Sequence, residues 1–188
     1  MGEKIVISYI GAVGVANGLE YFLECAKAAR KAKLPVQFLL CGEGALLDRL
    51  RESAKDQNLE NLTFLGFQNR ESVRQVMNVS DAVFVCYKNV PILETGSPNK
   101  FFDGLAAGKL IIINFGGWIR QEIEEARCGV FVDPLEPSNF VIKIMPFVHD
   151  KELLKKYQVA ARELGERKYS RRKLSEDFVK EFSYLNVE

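Results

Sequence analysis

Four short runs in this chain are apolar on successive residues: KIVISYI (4–10), VQFLLC (36–41), AVFVCY (82–87) and KLIIINF (109–115). A strand with one face in water alternates apolar and polar residues, so unbroken apolarity calls for burial on both faces. Weaker runs of the same kind are LTFLG (62–66) and GVFV (129–132). Between the runs, apolar residues recur three and four apart, as in Leu19, Phe22, Leu23, Ala26 and Ala29, or Leu46, Leu47, Leu50 and Ala54. That spacing draws one stripe down a helix. The order is therefore strand, helix, strand, helix. Parallel neighbours need crossovers, and these are right-handed, so the pattern predicts an α/β fold. Its core is a doubly wound parallel sheet of about six strands with helices on both faces. No repeat and no linker interrupts this core from about residue 4 to residue 134.

Beyond Asp133-Pro134 the pattern changes. The segments DPLEPSNFVIKIMPFV, KELLKKYQVAARELGERK and SRRKLSEDFVKEFSYL read as helices with no strand between them, a helical C-terminal extension over about 135–188 of a single domain spanning 1–188. In the last segment Leu174, Phe178, Phe182 and Leu185 form one apolar stripe, with Arg171, Arg172, Lys173 and Lys180 off it. Such a stripe docks either on the sheet or on a domain outside this chain.

Charge and cysteines narrow the function. The 26 Lys and Arg nearly cancel the 25 Asp and Glu, leaving no basic field to hold a nucleic acid or an anionic membrane by charge alone. The four cysteines, Cys25, Cys41, Cys86 and Cys128, lie far apart in apolar surroundings, and a single histidine, His149, is there to join them in a metal site. They read as buried free thiols in a reducing cytoplasm. No apolar run approaches the roughly 20 residues that cross a bilayer, and the start MGEKIVISYIG lacks a signal-peptide pattern. A soluble, cytoplasmic protein is expected.

In an open parallel sheet, ligands collect at the carboxyl ends of the strands. Three loops there are informative. GAVGVANGLE (11–20) is a Gly-rich turn into a helix, suited either to a phosphate on backbone N–H groups or simply to a tight turn. Its glycines are spaced G-x-x-G-x-x-x-G, which is neither the dinucleotide fingerprint nor a P-loop. CGEGALLDRL (41–50) sets Glu43 at the rim, where it can accept hydrogen bonds from ligand hydroxyls or merely complement a helix dipole. In GSPNKFFDGLAAGK (96–109), Ser97 before Pro98 reads as N-cap then N1. The N–H groups of Asn99 and Lys100 and the Lys100 ammonium would then form an anion site. Asp103 lies one turn on, where a ribose attached to those phosphates would fall; alternatively it only complements the dipole. The small residues Ala106, Ala107 and Gly108 favour a ligand.

FLLCGEGALLDRL, LENLTFLGFQNRESVRQVMNVSDAVFV, SPNKFFDGLAAGKLIIINFGG and CGVFVDP follow one another in an order and spacing that resemble a known family. It is the Rossmann-like, C-terminal donor-binding half of the retaining GT-B-fold glycosyltransferases, of the glycosyl transferases group 1 type. The likeness runs from about residue 7 to residue 182, and ANGLE with SPNKFFD is similar to enzymes of capsular and surface polysaccharide synthesis, such as amino-sugar transferases. The resemblance implies a nucleotide-diphosphate sugar as donor, a glycan or lipid-linked acceptor, and hexosyl or N-acetylhexosaminyl transfer. It also implies that the acceptor-binding N-terminal domain and the general chemistry lie outside this chain. No catalytic residue is therefore assigned here, and the isolated chain is expected to be inactive.

The family's E-x7-E pattern puts its second acid, the ribose ligand, at Asp103. Its first acid contacts the donor sugar; here Glu94 gives E-x8-D and Thr95 holds the regular place, so both are candidates, together with the backbone through Gly96 and Ser97. The Arg and Lys of the family's first loop are absent, the matching places being near Ala12 and at Asn17. Gly14, Val15, Ser97, Asn99 and Lys100 would therefore carry the diphosphate. The base would lie near GFQNR (66–70), with Phe67 and Arg70 as its contacts. No D-x-D pair is present, so no metal and no cofactor is expected. The full-length enzyme could sit peripherally on the inner face of the cell membrane.

A second hypothesis keeps the donor site: a non-catalytic subunit that pairs with a separate N-terminal-half polypeptide. A nicotinamide-dependent dehydrogenase would need the G-x-G-x-x-G fingerprint, and a receiver-like domain would need acids after the first strand; GAVG supplies neither.

Overall fold

The computed structural model describes residues 4–183. Strands β1 (Ile5–Ile10), β2 (Val36–Cys41), β3 (Leu62–Gly66), β4 (Ala82–Val85), β5 (Leu110–Ile113) and β6 (Gly129–Phe131) alternate with helices α1 (Leu19–Lys31), α2 (Leu47–Asp56), α3 (Arg70–Val79), α4 (Asn99–Ala106) and α5 (Trp118–Glu125). Every strand pair is parallel, in the order β3-β2-β1-β4-β5-β6. The expected doubly wound sheet is therefore present, with all six runs as strands. All four residues of β4 and of β5 are buried, as continuous apolar runs demand.

Two apolar layers sandwich the sheet. On one face, Ile7, Tyr9, Phe38, Leu40 and Phe84 pack with Phe22 of α1. On the other, Val83, Val85, Ile111 and Ile113 pack with Phe101 and Leu105 of α4 and Ile119 of α5. The runs at 82–87 and 109–115 are longer than their strands for a definable reason. Past β5, the fully buried Asn114 turns its carboxamide onto the backbone of Tyr87. Its Oδ1 accepts from Tyr87 N–H at 2.9 Å and its Nδ2 donates to Tyr87 C=O at 2.8 Å. A side chain thus takes over the pairing that the strand would have made.

The C-terminal part is helical, as the sequence predicts: α6 (Asn139–His149), α7 (Lys151–Lys168) and α8 (Arg171–Ser183). Phe140, Ile144 and Phe147 of α6 enter the first layer, and Ala161 and Leu164 of α7 enter the second. The α8 stripe does not dock on the sheet, the first of the two places expected for it. Leu174, Phe178 and Phe182 are 51%, 64% and 52% exposed; Leu185 lies outside the described residues. The second layer is already covered by α4, α5 and α7. All four cysteines are free and buried, and no helix among the described residues is long and apolar enough to cross a membrane.

Candidate functional site

Strand order reverses between β1 and β4, so the loops after these strands diverge and leave a crevice at their carboxyl ends. Two adjoining hollows occupy it. The first, of 510 Å3, runs between α3 and α4: Arg70, Val73, Arg74, Met77 and Asn78 form one wall, Lys100, Asp103, Ala106 and Ala107 the other, and Ile10 and Val83 the floor. The second, of 440 Å3, is lined by Gly11, Ala12, Gly42, Glu43, Phe67 and Gln68, and shares Ile10 and Val73 with the first.

The start of α4 is the most heavily constructed part of the crevice. Sequence reasoning placed Ser97 at the N-cap and Pro98 at N1. The helix begins one residue later, with Pro98 itself at the cap in extended conformation (φ −75°, ψ 131°) and no side-chain cap. Ser97 is exposed, and the residue before a proline is pushed away from the helical region, which explains the shift. The first N–H groups of α4 are thus left without a capping side chain, the condition under which a helix start receives an anion. The approach is pinned from outside: the Trp118 indole N–H donates to Gly96 C=O at 3.0 Å, and Phe101, Phe102, Trp118 and Tyr169 contact one another edge-on or stacked.

Lys100 points under the first loop. Its ammonium lies 5.0 Å from the Tyr9 ring centre and 5.7 Å from that of Tyr87. Its Cε would stand 3.1 Å from a Cβ on Gly11. The Tyr9 ring is fixed by its hydroxyl donating to Ala12 C=O at 2.6 Å, and the Tyr87 backbone by the Asn114 clamp. No carboxylate pairs with Lys100 among the described residues, and burial lowers its pKa from the ordinary lysine value. A desolvated cation held by ring faces has unspent capacity for an anion. Asp103 stands on the same wall, and partial burial raises its carboxyl pKa from the ordinary value.

The remaining candidates are spread around this centre. Gly14 and Val15 open a short 3-10 turn (Val15–Asn17), and the Gly14 N–H is already engaged by Asn17 Oδ1 at 3.3 Å. Neither residue lines either hollow. Glu94 and Thr95 end a second 3-10 turn, Pro91–Thr95. The Thr95 hydroxyl donates to Ile92 C=O at 2.9 Å. The Glu94 carboxylate lies over the loop after β5, with Oε2 3.1 Å from where a Cβ on Gly116 would be. Arg70 lines the first hollow and Phe67 the second, so the two base candidates fall in adjoining cavities. Gly42 explains its own loop: at φ +152° a Cβ would stand 1.8 Å from Gly11 C=O, so no side chain fits.

Four contributors escaped sequence reasoning: Tyr9 and Tyr87 around Lys100, Asn114 behind Tyr87, and Arg74 on the groove wall. Asn114 did leave a signal, a carboxamide interrupting the run IIINF. Arg74 left one too, four residues after Arg70 and hence on the same helix face.

A crevice at the switch point of a doubly wound sheet is where ligands collect in such folds, and here a caged cation and a carboxylate on one helix line it. The particular family follows from comparison. Residues 1–164 match the model of the glycosyl transferases group 1 family, and the chain belongs to it. It is 26% identical over 178 residues to the putative colanic acid biosynthesis glycosyl transferase WcaI of Escherichia coli, covering 94% of this chain and 42% of that protein. Its fold is similar to that of HepE from Anabaena, solved in complex with UDP, with TM-score 0.81 and 16% identity over 97% of this chain and 49% of that one. It is also similar to the C-terminal domain of the group 1 glycosyl transferase LpcC from Francisella tularensis, with TM-score 0.74 and 19% identity over 91% and 89% of the two chains. The chain spans less than half the length of the curated relatives it matches.

Proposed function

We propose that this chain is the nucleotide-sugar donor-binding half of a retaining glycosyltransferase that builds a surface polysaccharide, passing a hexosyl or N-acetylhexosaminyl unit to a glycan or lipid-linked acceptor. One observation carries the reading: Lys100, a caged cation that no carboxylate among the described residues pairs with, and Asp103 share one wall of the switch-point groove. The donor diphosphate rests on the uncapped N–H groups of Asn99 and Lys100 and on the Lys100 ammonium, with Ser97 beside it; the first-loop backbone at Gly14 and Val15, outside both hollows, takes no part. The ribose hydroxyls donate to Asp103. Arg70 and Phe67 flank the base, and Glu94 or Thr95 meets the sugar. That HepE was solved with UDP supports a nucleotide donor here.

The chemistry asked of these residues is electrostatic. As the sugar–phosphate bond breaks, negative charge grows on the leaving diphosphate, and prearranged N–H donors and a desolvated ammonium stabilise it without reorganising. The acceptor attacks from the same face, which retains configuration. The acceptor site and the rest of the machinery belong to an N-terminal domain outside these residues, in keeping with the share of the relatives' length that the chain spans. No residue is set aside for a metal in this scheme. The whole enzyme works in the cytoplasm, at most peripheral to the membrane. A separate subunit carrying the same donor site is the second reading, favoured by the exposed α8 stripe, which offers a face for another polypeptide.

Calorimetric titration with UDP-, GDP-, ADP- and TDP-sugars and the free diphosphates tests the site. Saturable binding of one nucleotide, lost in Asp103→Ala, is the expected result; no binding of any at millimolar concentration would overturn it. Coexpression with an N-terminal-half polypeptide separates a fused domain from a subunit.

A further inference from the structure

At the opposite end of the sheet from the crevice, where β1 and β4 begin, a separate cavity of 500 Å3 opens against the end of α6 and the start of α7. Its back is apolar, formed by Val79, Phe147, Val148 and Leu154, and its remaining wall carries three lysines, Lys4, Lys151 and Lys155. Hollows of roughly 300–1,000 Å3 that are mostly apolar, with a few converging polar groups, are the form that small-molecule sites take. Lysines are common on this surface, but these three come from two distant parts of the chain and meet at one apolar cavity.

The arrangement is unfavourable while the cavity holds no anion. Lys151 and Lys155 stand four residues apart on α7, a spacing at which like charges destabilise a helix, and Lys151 opens the first turn, where the dipole disfavours a cation. A fourth lysine adds to the field. Lys109 donates from Nζ to Asn78 C=O at 3.3 Å, and its pKa is lowered by burial and further by Lys155, against the pull of Asp81. Asp81 is the one carboxylate on the lining among the described residues, and it is already engaged: its Oδ2 accepts from Val6 N–H at 2.8 Å. Lysines thus outnumber acids here although the chain as a whole is nearly neutral. An anion entering the cavity relieves a repulsion that folding leaves in place, and such local conflicts collect at functional sites.

Lysine ammoniums hold phosphate as point charges. An inorganic ion alone would leave the apolar back uncovered, including Val79, which is 60% exposed. We propose that this cavity is a second ligand site, separate from the donor crevice, for an amphiphilic phosphate: a phosphate ester whose charged group meets Lys4, Lys151 and Lys155 and whose apolar part packs on Val79, Phe147 and Val148. A soluble phosphorylated compound and the head group of an anionic lipid share that chemistry.

The test is titration of the full chain with phenyl phosphate, inorganic phosphate and phenol, followed by amide NMR shifts, which separate residues 79–81 and 147–155 from residues 97–103 of the donor crevice. Phenyl phosphate should shift the first set and bind more tightly there than either phosphate or phenol. In Lys155→Gln that affinity should fall about tenfold, the worth of one hydrogen bond to a charged group, and in Lys100→Ala it should not change. Without ligand, Lys155→Gln should unfold at a slightly higher temperature than the wild type, because a like charge has gone. Shifts confined to the donor crevice would overturn the inference, as would phosphate or phenol binding as tightly as phenyl phosphate, affinity that survives in Lys155→Gln, or no binding at millimolar concentration. Vesicles of phosphatidylglycerol and of phosphatidylcholine then identify the source. Sedimentation with the first alone, lost in Lys155→Gln, supports the site with a lipid head group as its ligand, whereas phenyl phosphate binding with no sedimentation supports it with a soluble phosphate.

Discussion

The two walls of the groove are built differently. The α4 wall is anchored on every side: Phe101 and Leu105 are fully buried, Trp118 holds the approach through Gly96, and Arg162 of α7 donates to Ala106 C=O at its end. The α3 wall has one buried side chain, Val76, and its start is held by Asn69, whose Oδ1 accepts from Ser72 N–H at 2.9 Å. The anchored wall carries the two groups proposed to hold the donor, Lys100 and Asp103. The lightly held wall carries Arg70 and Arg74, long side chains without an ion pair among the described residues. A leaving diphosphate needs prearranged charge, while a base edge can be met by a side chain that moves a little.

Breaking the anchored wall should therefore cost most. Phe101→Ala removes a fully buried ring from the aromatic cluster and should destabilise the chain by about 3–5 kcal/mol, whereas Val76→Ala on the other wall should cost roughly 1 kcal/mol. Urea unfolding of the two variants measures the contrast, and equal losses would show that the walls are alike.

Lys100→Ala should spare stability and weaken diphosphate binding by about 1.5–3 kcal/mol, the worth of a hydrogen bond to a charged group, with nucleosides much less affected. The pH dependence has a definite sign. Burial lowers the Lys100 pKa, so its charge is complete below that value and is lost as pH rises through it. Pyrophosphate affinity should fall on the alkaline side before an ordinary lysine titrates, and the fall should vanish in Lys100→Ala. Asp103 works in the opposite sense. Partial burial raises its pKa, so nucleoside binding should weaken as pH falls through it, at a higher pH than for an exposed aspartate, and Asp103→Asn should remove that dependence.

Asn114→Ala tests the support behind the cage. It leaves Tyr87 N–H and C=O without their partners, at a cost of about 1–3 kcal/mol, and frees the ring that faces Lys100. Thermal unfolding should register the first effect and pyrophosphate titration the second. A loss of stability with unaltered pyrophosphate affinity would show that Tyr87 does not position the cation.

The difference between the walls also decides what the sequence could reveal. The sheet was legible because its strands are short, mostly apolar runs set between helically spaced segments, most plainly β4 and β5, which are apolar on every residue. Asp103 and Lys100 were legible because Pro98 marks a helix start and fixes what stands a turn beyond it. The cage was not. Tyr9, Tyr87 and Asn114 come from the ends of three different strands, and only the strand order brings them to one lysine. Gly14 shows the opposite failure: its place in a Gly-rich turn suggested a free N–H, but Asn17, three residues on, takes it. Local spacing could not show which of two acceptors would win.

The smallest effect concerns the floor between the walls. Ser8 pairs in register with Val83, which lines the groove, and lies two residues before Ile10, which also lines it. It is fully buried, and its hydroxyl has no hydrogen-bond partner among the described residues. An unsatisfied hydroxyl in an apolar layer costs free energy, so Ser8→Ala should be neutral or stabilising by up to about 1 kcal/mol. The groove should keep its nucleotide affinity, because neither wall moves. If Ser8→Ala instead lowers nucleotide affinity while stability holds, the floor takes part in recognition, and the division of labour between a charged α4 wall and an adaptable α3 wall is incomplete.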